Sequence, residues 1–291
     1  MDNKGQLAIA HPPPQPTSLS LLNLIVFHGL IPILVPVFVS YKFITDRSFR
    51  ATFPATTADL FSLVKSATID PVSRRWYFQD ATLLKRLWKL SSARAYIDKV
   101  TQQPHLEYQQ REGFCGSATQ MCTLKSFGIP YEKLPPPKHG ESKPEEFAEH
   151  IAQIAGEHNV ELSTTIVRGD VSYKEFLSAL RGGLANDNVR IACNYLRSAL
   201  TGFERYYPSF LIVGMYGGHF SPILGIIEND HDGKGSKRKD EMDDNPLVGI
   251  FDTNHKYNGA YLVPARRLYA AVHAVDVTAN KERALVLVEK K

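Results

Sequence analysis

The chain has 291 residues, of which 43% are hydrophobic and 22% charged, and its formal net charge is +4. These values are ordinary for a globular protein and exclude a fibrous or wholly disordered chain. No Lys/Arg cluster is interleaved with aromatic residues, so no nucleic-acid partner is expected. The three cysteines make no disulfide framework, and no Cys-x-x-Cys pair or Cys/His cluster has zinc-site spacing. We therefore expect a reducing compartment and no metal site in the protein.

The N-terminal region divides into two segments of different composition. Residues 1–18 are polar and rich in proline, which predicts a disordered leader. Residues 19–41 carry no formal charge and form a stretch that is long enough to span a bilayer as a helix. Pro32 and Pro36 lie within this stretch and weaken the helical pattern. This pattern predicts an apolar transmembrane or signal-anchor helix, and hence a membrane as a partner through residues 19–41.

Flanking charges predict the orientation of this segment. Lys42, Arg47 and Arg50 follow it, whereas only Lys4 and the terminal amine precede it, which favours a membrane-anchored protein with its C-terminal domain facing the cytoplasm. Export after signal-peptide cleavage is the alternative. It fits less well because the leader is long and barely basic, and no small-x-small cleavage site follows. A buried hairpin of the soluble domain is the third interpretation.

Residues 51–291 are predicted to form one α+β domain, with helices mostly preceding strands. Periodicity predicts helices over residues 57–64, 80–96, 143–154, 172–180 and 264–272. It predicts strands over residues 160–167, 189–196, 223–227, 248–251 and 284–288, the last as a closing edge strand. Gly182 and Gly183 are expected to end the fourth helix.

A charged stretch over residues 230–245 separates two of the strands. It does not match the EF-hand pattern, because Lys234 occupies a ligand position and no glutamate closes the loop. The stretch is therefore predicted to be a solvated hairpin insertion.

Cys115 is predicted to lie in the first turn of a helix. Gly113 and Gly116 flank it, apolar residues recur at helical spacing up to Leu124, and Gly128 ends the pattern. Free N–H groups and the helix dipole at such a position favour the thiolate, which is the nucleophilic form. A lone cysteine is more often a small buried residue, so this placement alone does not identify a nucleophile.

Two downstream residues have the right types to complete a catalytic triad with Cys115. His219 follows Gly218 at the head of one apolar run, and Asp252 ends the next such run. Adjacent strands would bring together a base and the carboxylate that orients it. The order Cys, His, Asp is that of papain-like enzymes, which usually have Asn in the third place. The structural alternatives are a hydrogen-bonded core histidine and a turn-forming aspartate.

The chain resembles the phytochelatin synthases, the glutathione gamma-glutamylcysteinyltransferases of the papain-like cysteine peptidase superfamily. The similarity lies in Gln109 six positions before Cys115, in the run Gly-His-Phe-Ser-Pro-Ile over residues 218–223, and in Asp252 followed by Lys256-Tyr257. It extends over about residues 51–288. The resemblance implies a papain-like cysteine peptidase fold, with a helical part packed against an antiparallel sheet.

The resemblance also implies roles for the site residues. Cys115 would attack the Cys–Gly amide of glutathione, release glycine and hold gamma-glutamylcysteine as a thioester, with His219 moving the proton. Asp252 would fix the imidazole tautomer, and Gln109 would donate to the oxyanion beside the Cys115 N–H. The acyl group would then pass to a second glutathione, giving phytochelatin and heavy-metal detoxification, or to water.

Five residues are candidates for substrate binding on the same basis: Gly116, Gly218, His255, Lys256 and Tyr257. The family usually has an arginine between its aspartate and Lys-Tyr, but the segment from Asp252 to Tyr257 is one residue shorter and lacks it. Hence His255 or Lys256 would have to serve.

Glutathione and its metal complexes are the expected partners, and a homodimer is an open possibility. No tightly bound cofactor is expected, since cadmium, zinc or copper would arrive as glutathione thiolate complexes. The cysteine-rich C-terminal half of plant-type enzymes is absent from this sequence, as in the short prokaryotic-type relatives that tend towards hydrolysis. Two alternatives therefore stay open: a glutathione or peptide hydrolase without transfer, and a non-catalytic membrane-tethered adaptor on a papain-like fold.

Overall fold

A six-stranded antiparallel sheet organises the second half of the chain, in the order β1-β8-β2-β3-β4-β5. The structure is a computed structural model that describes residues 1–9, 21, 25–68, 79–111, 113–130, 143–201, 216–228, 244–277 and 279–291. The strands of this sheet are β1 (Leu162–Arg168), β2 (Val189–Leu196), β3 (Gly218–Ile227), β4 (Leu247–Phe251), β5 (Ala260–Pro264) and β8 (Ala284–Lys290). A two-stranded ribbon is made by β6 (Val275–Asp276) and β7 (Lys281–Glu282).

Helices cover both faces of the sheet. In chain order they are α1 (Ile31–Thr45), α2 (Arg47–Thr68), α3 (Ala81–Leu87), α4 (Ser91–Arg94), α5 (Cys115–Ser126), α6 (Pro144–Glu157), α7 (Tyr173–Ala185), α8 (Ser198–Thr201) and α9 (Ala265–His273). Helices α3, α5 and α6 contribute to the cores on one face, whereas α2, α7 and α9 form the core on the other. All eight residues of β2 are consequently buried. The predicted α+β class is confirmed.

The C-terminal strand β8 differs from the expected edge strand because it lies inside the sheet. It pairs with β1 on one side and β2 on the other, so that Val286 is opposite both Ile166 and Ala192. Burial on both faces requires apolar side chains at successive positions, and residues 284–286 are all buried. The edges of the sheet are β1 and β5.

Two predicted helices have different bounds. Residues 57–64 belong to the longer helix α2. The predicted helix over residues 80–96 is split into α3 and α4, because Leu90 is extended and Ser92 donates its hydroxyl to the Leu224 carbonyl.

The glycine pair at residues 182 and 183 lies inside α7 and does not end it. A Cβ atom on Gly183 would lie 2.9 Å from the Ile191 side chain. The glycine therefore serves close packing of α7 on the sheet.

Residues 1–9 differ from the expected disorder, because they are held against the domain. The Gln6 side chain donates to the Ala260 carbonyl at 2.8 Å and accepts from the Ala260 N–H at 3.1 Å. Trp88 Nε1 donates to the Gly5 carbonyl, and Leu7 packs on the adjacent core. Residues 10–18, the rest of the predicted leader, lie outside the described residues.

The predicted membrane segment is helical where it is described. A π-helical segment (Ile25–Leu30) continues directly into α1. Residues 19, 20 and 22–24 lie outside the described residues. Within the described ranges, no helix combines the length and the apolar character that crossing a membrane requires.

The predicted hairpin insertion also lies largely outside the described residues, which include only Asp244 and Asn245 of it. The strands that it joins, β3 and β4, are antiparallel neighbours. Its two ends therefore leave the sheet opposite the end that carries His219 and Asp252.

Candidate active site

The sheet topology brings His219 and Asp252 together. His219 is the second residue of β3, and Asp252 directly follows β4. The beginning of one antiparallel strand lies beside the end of its neighbour, so both side chains occupy the same end of the sheet. Both residues are buried. Cys115 is the first residue of α5, which packs on β3.

The histidine and the aspartate form a direct hydrogen bond. His219 Nε2 lies 2.8 Å from Asp252 Oδ1, and the same carboxylate oxygen accepts from the Asn254 backbone N–H at 2.8 Å. Because Nε2 is engaged by the carboxylate, the second ring nitrogen, Nδ1, is left to face Cys115. The two groups are near enough for each to shift the pKa of the other.

Electrostatics favour a charged pair between Cys115 and His219. Burial alone would lower the pKa of His219, but the charges of Asp252 and Cys115 and their hydrogen bonds raise it to about 10. Burial has the opposite effect on an acidic group, and by itself it would raise the pKa of the Cys115 thiol. The His219 ring, the Phe220 backbone N–H and the charge of Arg197 outweigh that effect, and the pKa of Cys115 is lowered. Both shifts favour a thiolate beside an imidazolium.

The local structure around Cys115 supports the thiolate further. Phe114 occupies the N-cap and has no side-chain acceptor for the free N–H groups of the first turn. These N–H groups and the helix dipole favour negative charge at Cys115. The residue is only partly buried, so its sulfur lies at the border of the core.

The other two cysteines have the opposite electrostatic environment. Burial raises the pKa of Cys122 to about 12 and that of Cys193 well above its usual range. Both thiols are fully buried among apolar side chains. The three cysteines are thus distinguished by their surroundings, since only at Cys115 do neighbouring charges and hydrogen bonds outweigh the effect of burial on the pKa.

Gln109 lies next to the loop that carries Asp252. Its backbone N–H donates to the Thr253 carbonyl at 2.7 Å, and the residue is buried. Within the described part of the chain, its side-chain Oε1 has no hydrogen-bond partner. A buried amide group that the fold leaves partly unpaired is available to a ligand.

The five candidate substrate-binding residues are spread over three elements. Gly116 is buried in α5, and Gly218 is exposed at the start of β3. A short 3-10 helix after Asp252 (His255–Tyr257) holds the others, with His255 and Lys256 exposed and Tyr257 buried.

The cation that acts on Cys115 was missed by the sequence interpretation. It is Arg197, which directly follows β2, and its guanidinium lies 5.6 Å from the centre of the Tyr257 ring. No local motif marks Arg197, because 22 residues separate it from His219 along the chain.

A hydroxyl network behind the histidine was also missed. Tyr261 donates to Asp252 Oδ2 at 3.2 Å, and its oxygen lies 2.9 Å from that of Tyr195. The Tyr195 hydroxyl lies 3.2 Å from Ser221 Oγ, and its ring meets the His219 ring edge-on at 5.6 Å. In the sequence, this network is marked only by a tyrosine in each of two largely apolar strands. Tyrosine is common in protein cores, so its presence there does not indicate a network.

Two nitrogen donors converge beside Gly218. A Cβ atom built on this glycine would lie 3.5 Å from Asn194 Nδ2 and 3.6 Å from Arg283 Nε. Arg283 is buried, and its terminal nitrogens donate to three backbone carbonyls, whereas Nε has no partner among the described residues. An unpaired buried N–H and an amide aimed at one exposed glycine can receive an anionic oxygen.

The search for similar proteins gave no match: no model of a known family fits the chain, and no curated protein is similar to it. Among the described residues, no group of three or more His, Cys, Asp or Glu side chains could hold a metal ion. The chemistry of the site therefore has to be inferred from its own geometry and from the sequence motifs.

Proposed function

We propose that the protein is a cysteine acyltransferase of the phytochelatin synthase type, built on a papain-like fold. The observation that carries this proposal is the buried His219–Asp252 hydrogen bond beside a partly exposed cysteine of lowered pKa. Perturbed pKa values with a specific charged partner are typical of catalytic sites.

The first half of the reaction breaks an amide. The Cys115 thiolate attacks the carbonyl carbon of the Cys–Gly bond in glutathione and forms a carbon–sulfur bond. His219 gives its proton to the leaving nitrogen as the carbon–nitrogen bond breaks, and glycine departs. The enzyme then holds gamma-glutamylcysteine as a thioester on Cys115.

The second half of the reaction transfers the acyl group. Neutral His219 takes a proton from the incoming nucleophile, which is the amine of a second glutathione or a water molecule. Attack on the thioester releases the product and restores the thiolate beside the imidazolium. Asp252 keeps the imidazole in one tautomer throughout, because it holds Nε2.

The negative charge that develops on the carbonyl oxygen needs donors. The Cys115 backbone N–H and the Gln109 side-chain amide are assigned this role. Gln109 suits it because it is buried beside the loop that carries Asp252 and its side-chain NH₂ group offers two N–H donors. Loss of one such donor typically costs about 3 kcal/mol of transition-state stabilisation.

An anionic substrate fits the surroundings of the triad. Glutathione has two carboxylates, and three nitrogen-bearing side chains lie near the catalytic residues: Asn194, Arg197 and Arg283. Metal ions such as cadmium, zinc or copper enter as substrate, as glutathione thiolate complexes. They require no ligands from the protein.

The two alternatives make different demands on the site. A hydrolase without transfer uses the same triad and differs only in the acceptor. A non-catalytic adaptor requires triad side chains that do not act together. The buried hydrogen bond and the opposed pKa shifts of Cys115 and His219 favour the catalytic proposal over the adaptor.

Mass spectrometry after exposure to glutathione tests the nucleophile and the substrate together. We expect the parent protein to gain the mass of a gamma-glutamylcysteinyl group, and Cys115→Ala to gain none. Cys193→Ala is the matched control, since its thiol is buried with a raised pKa, and it should form the adduct as the parent does. An adduct that survives in Cys115→Ala, or no adduct and no glycine release by the parent, would overturn the proposal.

Incubation with glutathione and cadmium separates transfer from hydrolysis. Products longer than one gamma-glutamylcysteine unit indicate a transferase. Glycine release without such products would leave the nucleophile intact and replace transfer by hydrolysis.

A further inference from the structure

We propose that the apolar helix formed by residues 25–45 binds a lipid bilayer through its exposed side chains. Ile33, Leu34 and Val37 expose 64%, 55% and 59% of their surface, and Ile44 exposes 73%. Such values are unusual for large apolar residues, and a contiguous exposed apolar surface marks a binding surface. This inference uses none of the catalytic groups and is independent of the proposed function.

The exposed side chains surround more than half of the helix. At 100° per residue, Ile33, Val37, Tyr41 and Phe38 spread over about 140°, and Phe43, about 80° beyond Ile33, extends the arc to about 220°. A helix that packs on a protein domain exposes a polar face and buries an apolar one. Here most of the circumference is apolar and faces outwards, which suits an apolar solvent better than water.

The domain holds the neighbouring helix, α2, firmly. Its Phe49, Leu60 and Val64 are buried in the core, and Arg267 donates to the Leu63 carbonyl at 2.8 Å and to Ser66 Oγ at 2.9 Å. Only Asp46, in an extended conformation, separates α2 from α1. The apolar helix therefore leaves the domain at a fixed place.

The distribution of charge identifies lipid as the occupant. From residue 25 to 41 the chain has no charged residue, and Tyr41 and Lys42 then stand at the end of the apolar stretch. Arg47 and Arg50 follow and are exposed. An aromatic residue and cations beside an apolar helix match the headgroup layer of a bilayer. A protein partner or a second copy would be expected to meet polar groups at the rim of the surface, and this stretch offers few.

Flotation of the full chain with lipid vesicles tests the proposal. We expect the parent to float with phosphatidylcholine vesicles containing anionic phosphatidylglycerol. The double variant Leu34→Glu, Val37→Glu should lose at least about 100-fold in partitioning, since each carboxylate is strongly disfavoured in the apolar layer. Val100→Glu is the matched control, because Val100 is 91% exposed and lies outside the helix, and it should float as the parent does.

Hydrogen exchange of the unaltered protein provides a measurement that needs no variant. On vesicles, the amides of residues 25–45 should gain protection of about tenfold or more, while those of the sheet stay unchanged. A parent that remains monomeric in the aqueous phase, or a double variant that floats as well as the parent, would overturn the proposal. So would a vesicle-independent dimer that the double variant dissociates, since a second copy would then cover the helix.

Discussion

Each end of the β3–β4 strand pair has a basic side chain paired with a carboxylate, but the two pairs have different surroundings. At one end, His219 Nε2 lies 2.8 Å from Asp252 Oδ1, and these side chains are 3% and 0% exposed. At the other end, Arg181 lies 2.7 Å from Glu228 and 2.7 Å from Asp244, with side-chain exposures of 38%, 57% and 41%. Geometry alone does not distinguish the two sites.

Burial and the identity of the cation make the difference. Charges near the surface are screened by water, so the Arg181 pairs stabilise the protein little, and the guanidinium stays charged at every accessible pH. His219 is withdrawn from water, where the charge of Asp252 acts strongly, and its protonation is decided by that charge. At the exposed end, Arg181 links Glu228 and Asp244, which lie near the two ends of the charged stretch. At the buried end, His219 is able to accept and donate a proton.

The largest predicted effect is the loss of the base. His219→Ala should lower the rate of thioester formation by about 10³-fold, because no group then takes or returns the proton. Single-turnover kinetics with glutathione measure this rate. Glu228→Gln, a change at the exposed end of the same strand, should alter it less than twofold. Equal losses in both variants would remove the distinction between the two ends.

Asp252→Asn should have the next largest effect, about 10²-fold in the same rate, because the amide cannot hold the histidine in the charged form. The pH profile gives a second readout. Activity of the parent should fall as the pH rises through about 10, where His219 loses its proton. Asp252 is the main group that raises the pKa of His219, so the alkaline limb of the variant should move to lower pH. A limb that does not move would show that Asp252 acts only structurally.

Tyr261→Phe should lower the rate by about tenfold, since it removes the hydroxyl that donates to Asp252 Oδ2. Its matched control is Tyr195→Phe. That change removes a hydroxyl that lies one step further from the carboxylate and should have a smaller effect. The ratio of kcat to KM for both variants, measured beside thermal unfolding, separates positioning from stability. A larger loss in Tyr195→Phe would reverse the proposed order of the network.

Arg181→Gln should have the smallest effect. The ion pairs are more than a third exposed, so after solvent screening we expect a loss of about 1 kcal/mol or less in the free energy of unfolding. Urea denaturation at low and high salt measures it, and the difference between parent and variant should shrink at high salt. A loss of several kcal/mol would mean that the exposed end is energetically like the buried one.

Local sequence signals predicted the helix that begins at Cys115 and the strand that precedes Asp252, whereas β3 begins at Gly218, five residues before the predicted strand. Helix α5 begins at Cys115, as the glycines and the apolar spacing indicated. Strand β2 has the predicted bounds because six of its eight residues are apolar and the charged Arg197 directly follows it. His219 and Asp252 meet because antiparallel neighbours bring the start of one strand to the end of the next.

The remaining parts depend on contacts between distant residues, which periodicity does not contain. No local pattern in the sequence marks Arg197 or Arg283, and only the fold places them near Cys115 and Gly218. The position of β8 inside the sheet depends on its pairing with β1 and β2, both of which lie far from it along the chain. The docking of residues 1–9 depends on contacts with Trp88 and Ala260, which are more than 80 residues away in the chain.

The rate of alkylation of Cys115 as a function of pH tests the central claim most directly. Iodoacetamide labelling, followed peptide by peptide, should show Cys115 reacting at pH values below the ordinary range of a free thiol. Cys122 and Cys193 should stay unlabelled in the folded protein, because burial raises the pKa of both. His219→Ala should move the inflection for Cys115 upwards, since it removes the cation that stabilises the thiolate. An inflection of the parent at the ordinary thiol pKa, unchanged in His219→Ala, would contradict the thiolate–imidazolium pair.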